Sequence, residues 1–436
     1  MKIIGQAVTL GGGMAAVIHV DCPAGSVLTC TNGKKSYTVT AVAGSHDFKV
    51  YTPGEWTVSA VSSEGSESKV VTVYGGMRVS VELAVVHIYG ISRDTTSSSP
   101  AWTRTDEAVG KTAVASIGTE EGMSDFDNHM PWSGIKREYL KTGDSMVKIP
   151  KFYYRRYLVS TVEHIQIADK PTEGFSLHPL FNRPSGEKEY VYIGSYLTSS
   201  DTRSIAGAAP ANNLTRAEFR TAASAKGEGW SLMDIAAVSA IQMLFLVEFA
   251  SSDSQKSIGY GHAVSSNSTK LNAGMGDSVP RLTGTQGSSI DSNAQIVWRG
   301  IEGLWGNMWQ IIDGLNTKNG QYYVCNDPSK YKDGSSTDYT KLSYSGSESW
   351  EKSYITVEGI DTGANSHIMM PSEAGSGSQS TFYCDVARFG SSEWTICKVG
   401  GENTDGRQAG LFTVSCINSS GYANSTSASR LMYIPV

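Results

Sequence analysis

The 436-residue sequence has few charged residues, and their sum is slightly acidic. Only 18% of the residues are Asp, Glu, Lys or Arg, and the formal net charge is −6. No stretch concentrates lysine and arginine into the basic stripe that nucleic-acid-binding domains use to hold the phosphate backbone. We therefore expect no nucleic-acid partner.

The sequence also lacks a secretion leader and a convincing membrane span. Residues 1–20 contain one lysine but no apolar run of about 7–15 residues, which a signal peptide requires. One apolar stretch, residues 232–250, contains Asp234 and Glu248, and Ser231 before it is suited to the start of a helix. We expect a buried helix of a large domain here, no membrane partner, and a chain that is made and kept in a cytoplasm.

Signatures of catalysis and of metal binding are scarce as well. The eight histidines show no HxH or HxxxH spacing, and there is no phosphate-binding loop, nucleophile elbow or dinucleotide fingerprint. We expect no enzyme activity and no cofactor, although Asp313 and Asp327 could offer oxygen ligands to calcium. No CxxC pair occurs, and we expect most cysteines to be small buried apolar residues. The six cysteines are Cys22, Cys30, Cys325, Cys384, Cys397 and Cys416.

Glycine and tyrosine are abundant instead, with 46 and 21 copies, and serine, threonine and asparagine crowd the second half. This composition favours short strands and loops over helices. Residues 1–85 show short alternating strands, and the turn at residues 32–34 predicts a hairpin. The segment resembles the immunoglobulin-like modules of phage tail proteins, which implies a small β-sandwich that docks or spaces.

The rest of the chain is predicted to form a connecting segment with short strands, residues 86–145, and a larger domain, residues 146–436. Thr215 and Glu218 have the spacing of a capping box at the start of a short helix, and the apolar helix follows. After Gly300 the sequence indicates only strands and long loops. The helices are predicted early in this part of the chain and the irregular β structure late, and this order predicts the α+β class.

Three tryptophans fall within residues 298–309, among glycines. Trp305 and Trp309 are four residues apart. A buried tryptophan contributes a large apolar area, and its N–H needs a partner, which Asn307 or a backbone carbonyl could supply. The segment therefore predicts a compact aromatic core, and the alternative is a platform on which a ligand stacks.

Three pieces of the sequence resemble a known family. GLWGNMWQIIDG (residues 303–314) resembles the Gly-Asn-(Val/Met)-Trp-Glu signature of the formylglycine-generating-enzyme branch of the C-type lectin fold, with Gln310 in place of the usual glutamate. ARFGSSEW (residues 387–394) and GRQAGLFTVSCINSSGYANSTSASRLMY (residues 406–433) are similar to the Arg-Gly-Gly-Ser-Trp run and the ending of that branch. The branch includes sulfatase-modifying enzymes, phage receptor-binding proteins and variable proteins diversified by retroelements.

The resemblance implies an architecture and a function. The architecture is an α+β chain with a small β-sandwich followed by a C-type-lectin-like domain with two helices and irregular β structure. The function is that of a phage receptor-binding protein in the virion tail, possessing a C-terminal region open to retroelement diversification. Its implied partners are a host cell-surface protein or glycan, phage tail proteins and further copies of itself, as a trimer. The alternatives are a structural tail or baseplate component without its own ligand, and a degenerate formylglycine-generating-type enzyme, for which no closely spaced cysteine pair is visible.

Alternation along the last fifty residues selects a candidate ligand face. In the strand predicted around residues 411–418, Phe412, Val414 and Cys416 face the core, so that Thr413 and Ser415 face outward. The loop that follows is rich in Tyr, Ser, Gly and Asn, the mixture that antibody paratopes favour, and the alternative is a solvated sheet face and loop. The predicted ligand-binding residues are Glu393, Thr395, Lys398, Arg407, Thr413, Ser415, Ile417, Tyr422, Asn424 and Thr426.

Overall fold

The chain divides into two compact units, Met1–His87 (unit 1) and Ile88–Val436 (unit 2). The computed structural model describes residues 14–40, 42–62, 65–83, 85–264, 269–390 and 393–436. The expectation that no leader is present falls largely on residues 1–13, which lie outside the described residues. The predicted α+β class is wrong, because about 40% of the chain lies in strands and only 12% in helices.

The described part of unit 1 consists of seven strands: β1 (Ala16–Asp21), β2 (Val27–Thr31), β3 (Ser36–Val39), β4 (Ser45–Val50), β5 (Gly54–Ser62), β6 (Gly65–Val73) and β7 (Arg78–Glu82). They form two sheets in the orders β4–β1–β7 and β3–β2–β5–β6. The predicted hairpin is confirmed, because β2 and β3 pair antiparallel around a turn in which Asn32 N donates to Lys35 O. Apolar residues of both sheets, Ile18 and Trp56 among them, share one core.

Unit 2 begins with a series of strands: β8 (Ile88–Asp94), β9 (Thr103–Asp106), β10 (Ala113–Val114), β11 (Ser116–Ile117), β12 (Met123–Ser124), β13 (Lys136–Tyr139), β14 (Ser145–Pro150), β15 (Tyr153–Val159), β16 (Val162–Ala168), β17 (Ser176–Leu177), β18 (Asn182–Arg183), β19 (Gly186–Glu187) and β20 (Tyr190–Gly194). Five of them form an antiparallel sheet in the order β17–β15–β16–β8–β9. β10 pairs with β12, and β18 pairs with β19.

The described residues of unit 2 contain three α-helices: α1 (Arg216–Ser224), α2 (Ile235–Phe249) and α3 (Ser254–Ile258). The predicted capping box is confirmed, since Thr215 accepts from Glu218 N and the Glu218 carboxylate accepts from Thr215 N. The predicted buried helix is confirmed as α2, which is buried from Ile235 to Glu248 and begins at Asp234. No helix in the described residues is long and apolar enough to cross a membrane. Short 3-10 turns lie at Asp125–Asn128, Trp132–Gly134, Pro280–Leu282, Pro328–Lys330, Gly363–Asn365 and Gly406–Gln408.

The remaining strands are β21 (Trp230–Leu232), β22 (Gly284–Thr285), β23 (Ile296–Trp298), β24 (Ile301–Glu302), β25 (Trp309–Lys318), β26 (Gln321–Val324), β27 (Thr340–Ser345), β28 (Ser353–Glu358), β29 (Pro371–Ala374), β30 (Val386–Phe389), β31 (Thr395–Val399), β32 (Val414–Asn418), β33 (Ser427–Ser429) and β34 (Leu431–Tyr433). A large sheet has the order β27–β26–β25–β31–β32–β30–β28–β29, with β33 beside β25. Two smaller sheets have the orders β11–β22–β23–β24 and β13–β14–β20–β34–β21. α2 contacts both β16 and β25, so the main core lies around this helix.

The tryptophan-rich segment, residues 298–309, turns sharply between the buried indoles of Trp305 and Trp309. The predicted burial is confirmed, because Trp305 is 0% and Trp309 is 2% exposed. Gly306 and Asn307 between them both have positive φ, +72° and +57°, which is where glycine and asparagine are tolerated best. The N–H of Trp305 donates to the carbonyl of Gly259 at 3.2 Å, so a backbone carbonyl rather than Asn307 is its partner.

The last strands of the chain join two sheets. β33 pairs in parallel with β25, whereas β34 pairs with β20 and β21. Arg430 between β33 and β34 is fully buried, and it donates to Gln310 Oε1 at 2.9 Å and to the carbonyls of Gly194 and Glu302 at 2.8 and 2.7 Å. Burial lowers the pKa of Arg430 to about 9, because the groups that it contacts directly are uncharged oxygens.

A buried ionic cluster lies where the β15–β16 hairpin meets β28. Arg156 Nε donates to Glu163 Oε1 at 2.7 Å, and both side chains are fully buried. The guanidinium of Arg93 lies 4.4 Å from the ring centre of Tyr383. Glu358 has no hydrogen-bond partner for its carboxyl oxygens among the described residues. Burial raises the pKa of Glu358 to about 8.

Candidate ligand-binding site

The large sheet is covered on both faces at its centre. On one face, Val399 of β31 lies opposite Val414 of β32, and both belong to the main core. On the other face, Ile311 of β25 and Ile396 of β31 belong to a smaller core that also includes Phe219 of α1. A strand with cores on both sides buries polar as well as apolar positions, so alternation of residue types does not reveal which side chains reach solvent.

A row of polar side chains crosses three neighbouring strands on the face opposite the main core. Lys398 of β31 lies opposite Ser415 of β32, and Ser415 lies opposite Arg388 of β30. Residues that are paired across strands project to the same face, so these three side chains lie side by side. Lys398 is 4% and Ser415 is 1% exposed, whereas Arg388 is partly exposed.

Trp309, the first residue of β25, packs against both cations of this row. Arg388 Cζ and Lys398 Nζ each lie 5.3 Å from the centre of its ring system. At such distances the negative face of an indole attracts a cation, and more strongly when water is excluded. Trp305 belongs to the apolar main core, so the two buried tryptophans have different surroundings.

The loop of residues 419–426 completes the site. The ring centre of Tyr422 lies 4.2 Å from Lys398 Nζ, and the Tyr422 hydroxyl accepts from Ser427 Oγ at 3.4 Å. The loop is fixed to β25 because Trp309 N donates to Thr426 O at 3.0 Å, and it is closed by a 2.9 Å bond from Thr426 N to Asn424 Oδ1. Burial lowers the pKa of Lys398. We define the cation–aromatic site as Trp309, Arg388, Lys398, Ser415 and Tyr422.

A comparison of the chain with models of known protein families finds no match, and a comparison with curated proteins finds no similar sequence. The family resemblance therefore depends on the residues quoted above and stays a prediction. The site itself is defined by geometry alone.

The site is a shallow face. Three surface depressions in the described part of unit 2 have volumes of about 450, 630 and 680 Å³, and none of them includes a residue of the cation–aromatic site. The depressions are outlined mainly by polar loops around Arg183 and Gly359. Because a surface polymer or a protein needs an accessible face rather than a closed pocket, depth does not decide which region binds it.

Three of the ten predicted residues belong to the cation–aromatic site, and two more lie in the adjoining loop. Lys398 and Ser415 lie in the polar row, and Tyr422 packs against Lys398. Asn424 and Thr426 lie in the loop beside Trp309, with Asn424 exposed and Thr426 partly exposed.

The predicted outward orientation is wrong for four residues, all of which are buried. Lys398 and Ser415 are described above. Thr395 is 3% exposed and shares a hydrogen bond with Thr317 of β25. Thr413 is 0% exposed and donates its hydroxyl to the carbonyl of Gln408. The physical reason is that β31 and β32 are central strands, covered on both faces.

A bulge also breaks the alternation of β32. Lys398 lies opposite Ser415, whereas Ile396, two residues earlier, lies opposite Asn418, three residues later. β32 therefore contains one extra residue at this point, which shifts the side chains that follow. Ile417 is 40% exposed, but Asn418 rather than Ile417 is the partner of Ile396.

Arg407 and Glu393 lie away from the cation–aromatic site. Arg407 Cζ lies 4.7 Å from the ring centre of Tyr260, and its guanidinium pairs with Asp291, which is 63% exposed. Glu393 is exposed and precedes the first residue of β31, whereas Lys398 lies near the other end of that strand. Arg407 is one of the predicted ligand-binding residues because of its residue type, and the residue type does not show which group its guanidinium contacts.

Two residues of the site were not identified from the sequence. The sequence predicts Trp309 as a core residue, with a ligand platform as the alternative, and Arg388 enters only as part of a family signature. Neither residue type nor spacing shows that the two side chains meet, because β30 and β25 are separated by β31 and β32 in the sheet. The one signal in the sequence is that the strand with Arg388 is followed along the chain by the strand with Lys398.

The cysteine expectations are corrected in part. Cys397 of β31 and Cys416 of β32 form a disulfide, with Cα atoms 4.4 Å apart, although 18 residues separate them in the sequence. Both are buried as expected, at 0 and 1% exposure, and belong to the main core. The pair therefore lies on the face of the sheet opposite Lys398 and has no direct access to the surface.

The two aspartates considered for calcium are engaged by protein groups. Asp313 is fully buried and accepts from Arg220 Nε at 2.6 Å. Asp327 accepts from Ser329 N at 3.1 Å and lies 3.4 Å from Lys330 Nζ. Among the described residues, no three His, Cys, Asp or Glu side chains are grouped so that they could hold a metal ion.

Proposed function

We propose that the chain is a phage tail-associated receptor-binding protein that holds a host-surface ligand at the cation–aromatic site of unit 2. The observation that carries the proposal is the contact of Lys398 with two aromatic rings, Trp309 and Tyr422, beside a polar loop. Aromatic and cationic side chains are the usual anchors of binding interfaces.

The arrangement combines a rigid floor with an adaptable rim. Trp309, Arg388 and Lys398 are fixed by the hydrogen-bonded strands β25, β30 and β31. The rim is the loop of residues 419–426, which is rich in Ser, Asn and Gly and presents Tyr422 and Asn424. A rigid constellation binds with little loss of conformational freedom, and a polar loop adapts its hydrogen bonds to the ligand.

The proposal extends to assembly and location. The resemblance of residues 1–85 to modules of phage tail proteins supports unit 1 as the docking piece and the virion tail as the location. The resemblance to phage receptor-binding proteins supports a homo-oligomer, with a trimer as the proposed state, and the resemblance of residues 406–433 to the ending of the variable proteins supports a C-terminal region that a retroelement diversifies.

Adsorption to intact bacteria tests the function. Fluorescently labelled protein is incubated with a panel of bacteria of different surface composition, and bound protein is measured by flow cytometry. A double variant, Tyr422→Ala with Asn424→Ala, removes the partly exposed ring of Tyr422 and the exposed amide of Asn424 from the rim. Arg407→Ala is the matched control, because it removes a polar contact of the same unit away from the site.

We expect the wild type and the control to adsorb to at least one strain. The rim variant is expected to lose about tenfold or more in affinity, since a few central anchors dominate most interfaces. A folded rim variant that adsorbs like the wild type would contradict the assignment of the site. A wild-type protein that adsorbs to no strain of the panel would count against the receptor-binding function.

A further inference from the structure

The cation–aromatic site contains more positive than negative charge. Lys398 is 4% exposed, and among the described residues no carboxylate pairs with it. Arg388 pairs with Asp405, and Lys352 Nζ also lies 3.9 Å from this same carboxylate. Arg388 and Lys352 therefore share one carboxylate, and Lys398 shares none among the described residues.

The other nearby carboxylate is already engaged. Glu402 Oε2 lies 3.3 Å from Lys270 Nζ. The side chain of Asp405 is further held by a 2.9 Å hydrogen bond from Glu402 N, so it is not positioned to turn toward Lys398. Among the described residues, the ammonium group of Lys398 contacts the faces of two aromatic rings and forms no ion pair.

The second cation, Arg388, has an N–H donor that lacks a hydrogen-bond acceptor among the described residues. Arg388 Nε is buried and has no hydrogen-bond acceptor among the described residues. A buried N–H of a charged group that lacks an acceptor costs free energy, unless a ligand or water supplies one. Lys398 and Arg388 both contact the ring system of Trp309, so the two cations lie around one indole.

We propose that the cation–aromatic site recognises an anionic group of a surface polymer, which binds to Lys398 and Arg388 beside the loop of residues 419–426. This inference rests on the proposed function and names the chemistry of its ligand. Anionic oxygens accept from the ammonium of Lys398 and from Nε of Arg388, which gives charge-assisted hydrogen bonds. The partly exposed ring of Tyr422 flanks the apolar part of the same repeating unit. Two sources have this chemistry, the carboxylate of an acidic sugar and the phosphodiester of a polyol phosphate.

Isothermal titration calorimetry with three defined oligomers distinguishes these sources. The probes are an oligogalacturonate, a glycerol phosphate oligomer and, as the neutral control, a dextran oligomer. We expect one acidic oligomer to bind, the dextran oligomer not to bind, and the affinity to fall as salt is raised, because ions screen exposed charges. Equal binding of the dextran oligomer, or no binding of either acidic oligomer, would overturn the inference.

Three variants test the roles of the charges, with melting temperature as the check on folding. Lys398→Met keeps the length of the side chain and is expected to weaken binding about tenfold or more. Asp405→Asn removes the competing carboxylate and is expected to strengthen binding, which loss of structure would not do. Arg407→Ala is expected to bind as the wild type does.

A folded Lys398→Met variant with unchanged affinity overturns the inference. If that variant does not fold, Arg388→Gln and Asp405→Asn must change the affinity in opposite directions, and equal affinities overturn it. Adsorption to cells whose carboxylates have been reduced and whose phosphodiesters have been cleaved separates the two proposals. Undiminished adsorption refutes the anionic ligand but keeps the receptor-binding function. Binding of an acidic oligomer without adsorption to any cell refutes the receptor-binding function but keeps the anionic ligand.

Discussion

Replacing Gln310 by methionine is expected to destabilise unit 2 by about 3–5 kcal/mol. Gln310 is fully buried, accepts from Arg430 Nε at 2.9 Å, and donates to the carbonyls of Gly303 and Leu304 at 3.0 and 2.9 Å. Methionine has a similar volume, so little of the loss comes from a cavity.

The expected magnitude follows from counting the groups that lose a partner. The carbonyl of Gly303 keeps a second donor, Arg430 Nη2, at 3.3 Å. The carbonyl of Leu304 and Arg430 Nε lose the partners described above. A buried neutral group without a partner costs about 1–3 kcal/mol, and a charged group costs more, which gives the stated range.

The Gln310→Glu variant distinguishes the contribution of the accepting oxygen of the Gln310 amide from that of its donating nitrogen. A carboxylate still accepts from Arg430, but its second oxygen then lies near the carbonyl oxygens of Gly303 and Leu304 and donates to neither. We therefore expect this variant also to be less stable than the wild type, although glutamate is usual at this position in the enzymes that the segment resembles.

Denaturation in guanidinium chloride, followed by tryptophan fluorescence, measures both variants. Eight of the nine tryptophans lie in unit 2, because Trp56 alone lies in unit 1, so the signal reports mainly on unit 2. Gln408→Met is the control, since Gln408 is partly exposed in a 3-10 turn, and its effect is expected within about 0.5 kcal/mol. If Gln310→Met loses less than about 1 kcal/mol, the hydrogen bonds assigned to Gln310 do not contribute as reasoned.

Two further measurements address the ionic cluster and the cysteines. Because burial raises the pKa of Glu358 from 4.5 to about 8, the folded state holds this proton more tightly, so stability falls as the pH rises from 4.5 to 8. Glu358→Gln is expected to lack this decline and to melt above the wild type at pH 9; parallel profiles of melting temperature against pH would contradict the assignment. Alkylation of the purified, oxidised protein in denaturant is expected to label Cys22, Cys30, Cys325 and Cys384 without reductant and all six cysteines after reduction. If all six cysteines are labelled without reductant, the Cys397–Cys416 disulfide is absent from the protein.

Features that depend on a few neighbouring residues were predictable from the sequence. The turn at Asn32, the capping box at Thr215 and the burial of α2 each follow from local preferences. The fold class was not predictable in the same way. The α-helices of the described residues lie only between Arg216 and Ile258, while many strands of unit 2 have two or three residues, too few to show a period.

The candidate site was predictable only in part. Lys398 and Tyr422 were selected correctly as members of one region, because the C-terminal segment contains both. Thr413 and Ser415 were assigned to the wrong environment, because a central strand is covered on both faces and its polar residues bond within the protein. Arg388 reaches the site through sheet pairing across β32, which no local pattern reports.

The pairing of β33 with β25, and of β34 with β20 and β21, affects how the chain folds during biosynthesis. The two strands lie on either side of Arg430, and they complete two different sheets whose other strands are translated much earlier, β20 at Tyr190–Gly194 and β25 at Trp309–Lys318. Until residues 427–433 have left the ribosome, the edges of β20, β21 and β25 stay open and the acceptors of Arg430 stay unpaired. Unit 2 therefore completes these two sheets only after residues 427–433 have left the ribosome, and a nascent chain that stops before Ser427 exposes open strand edges to neighbouring chains.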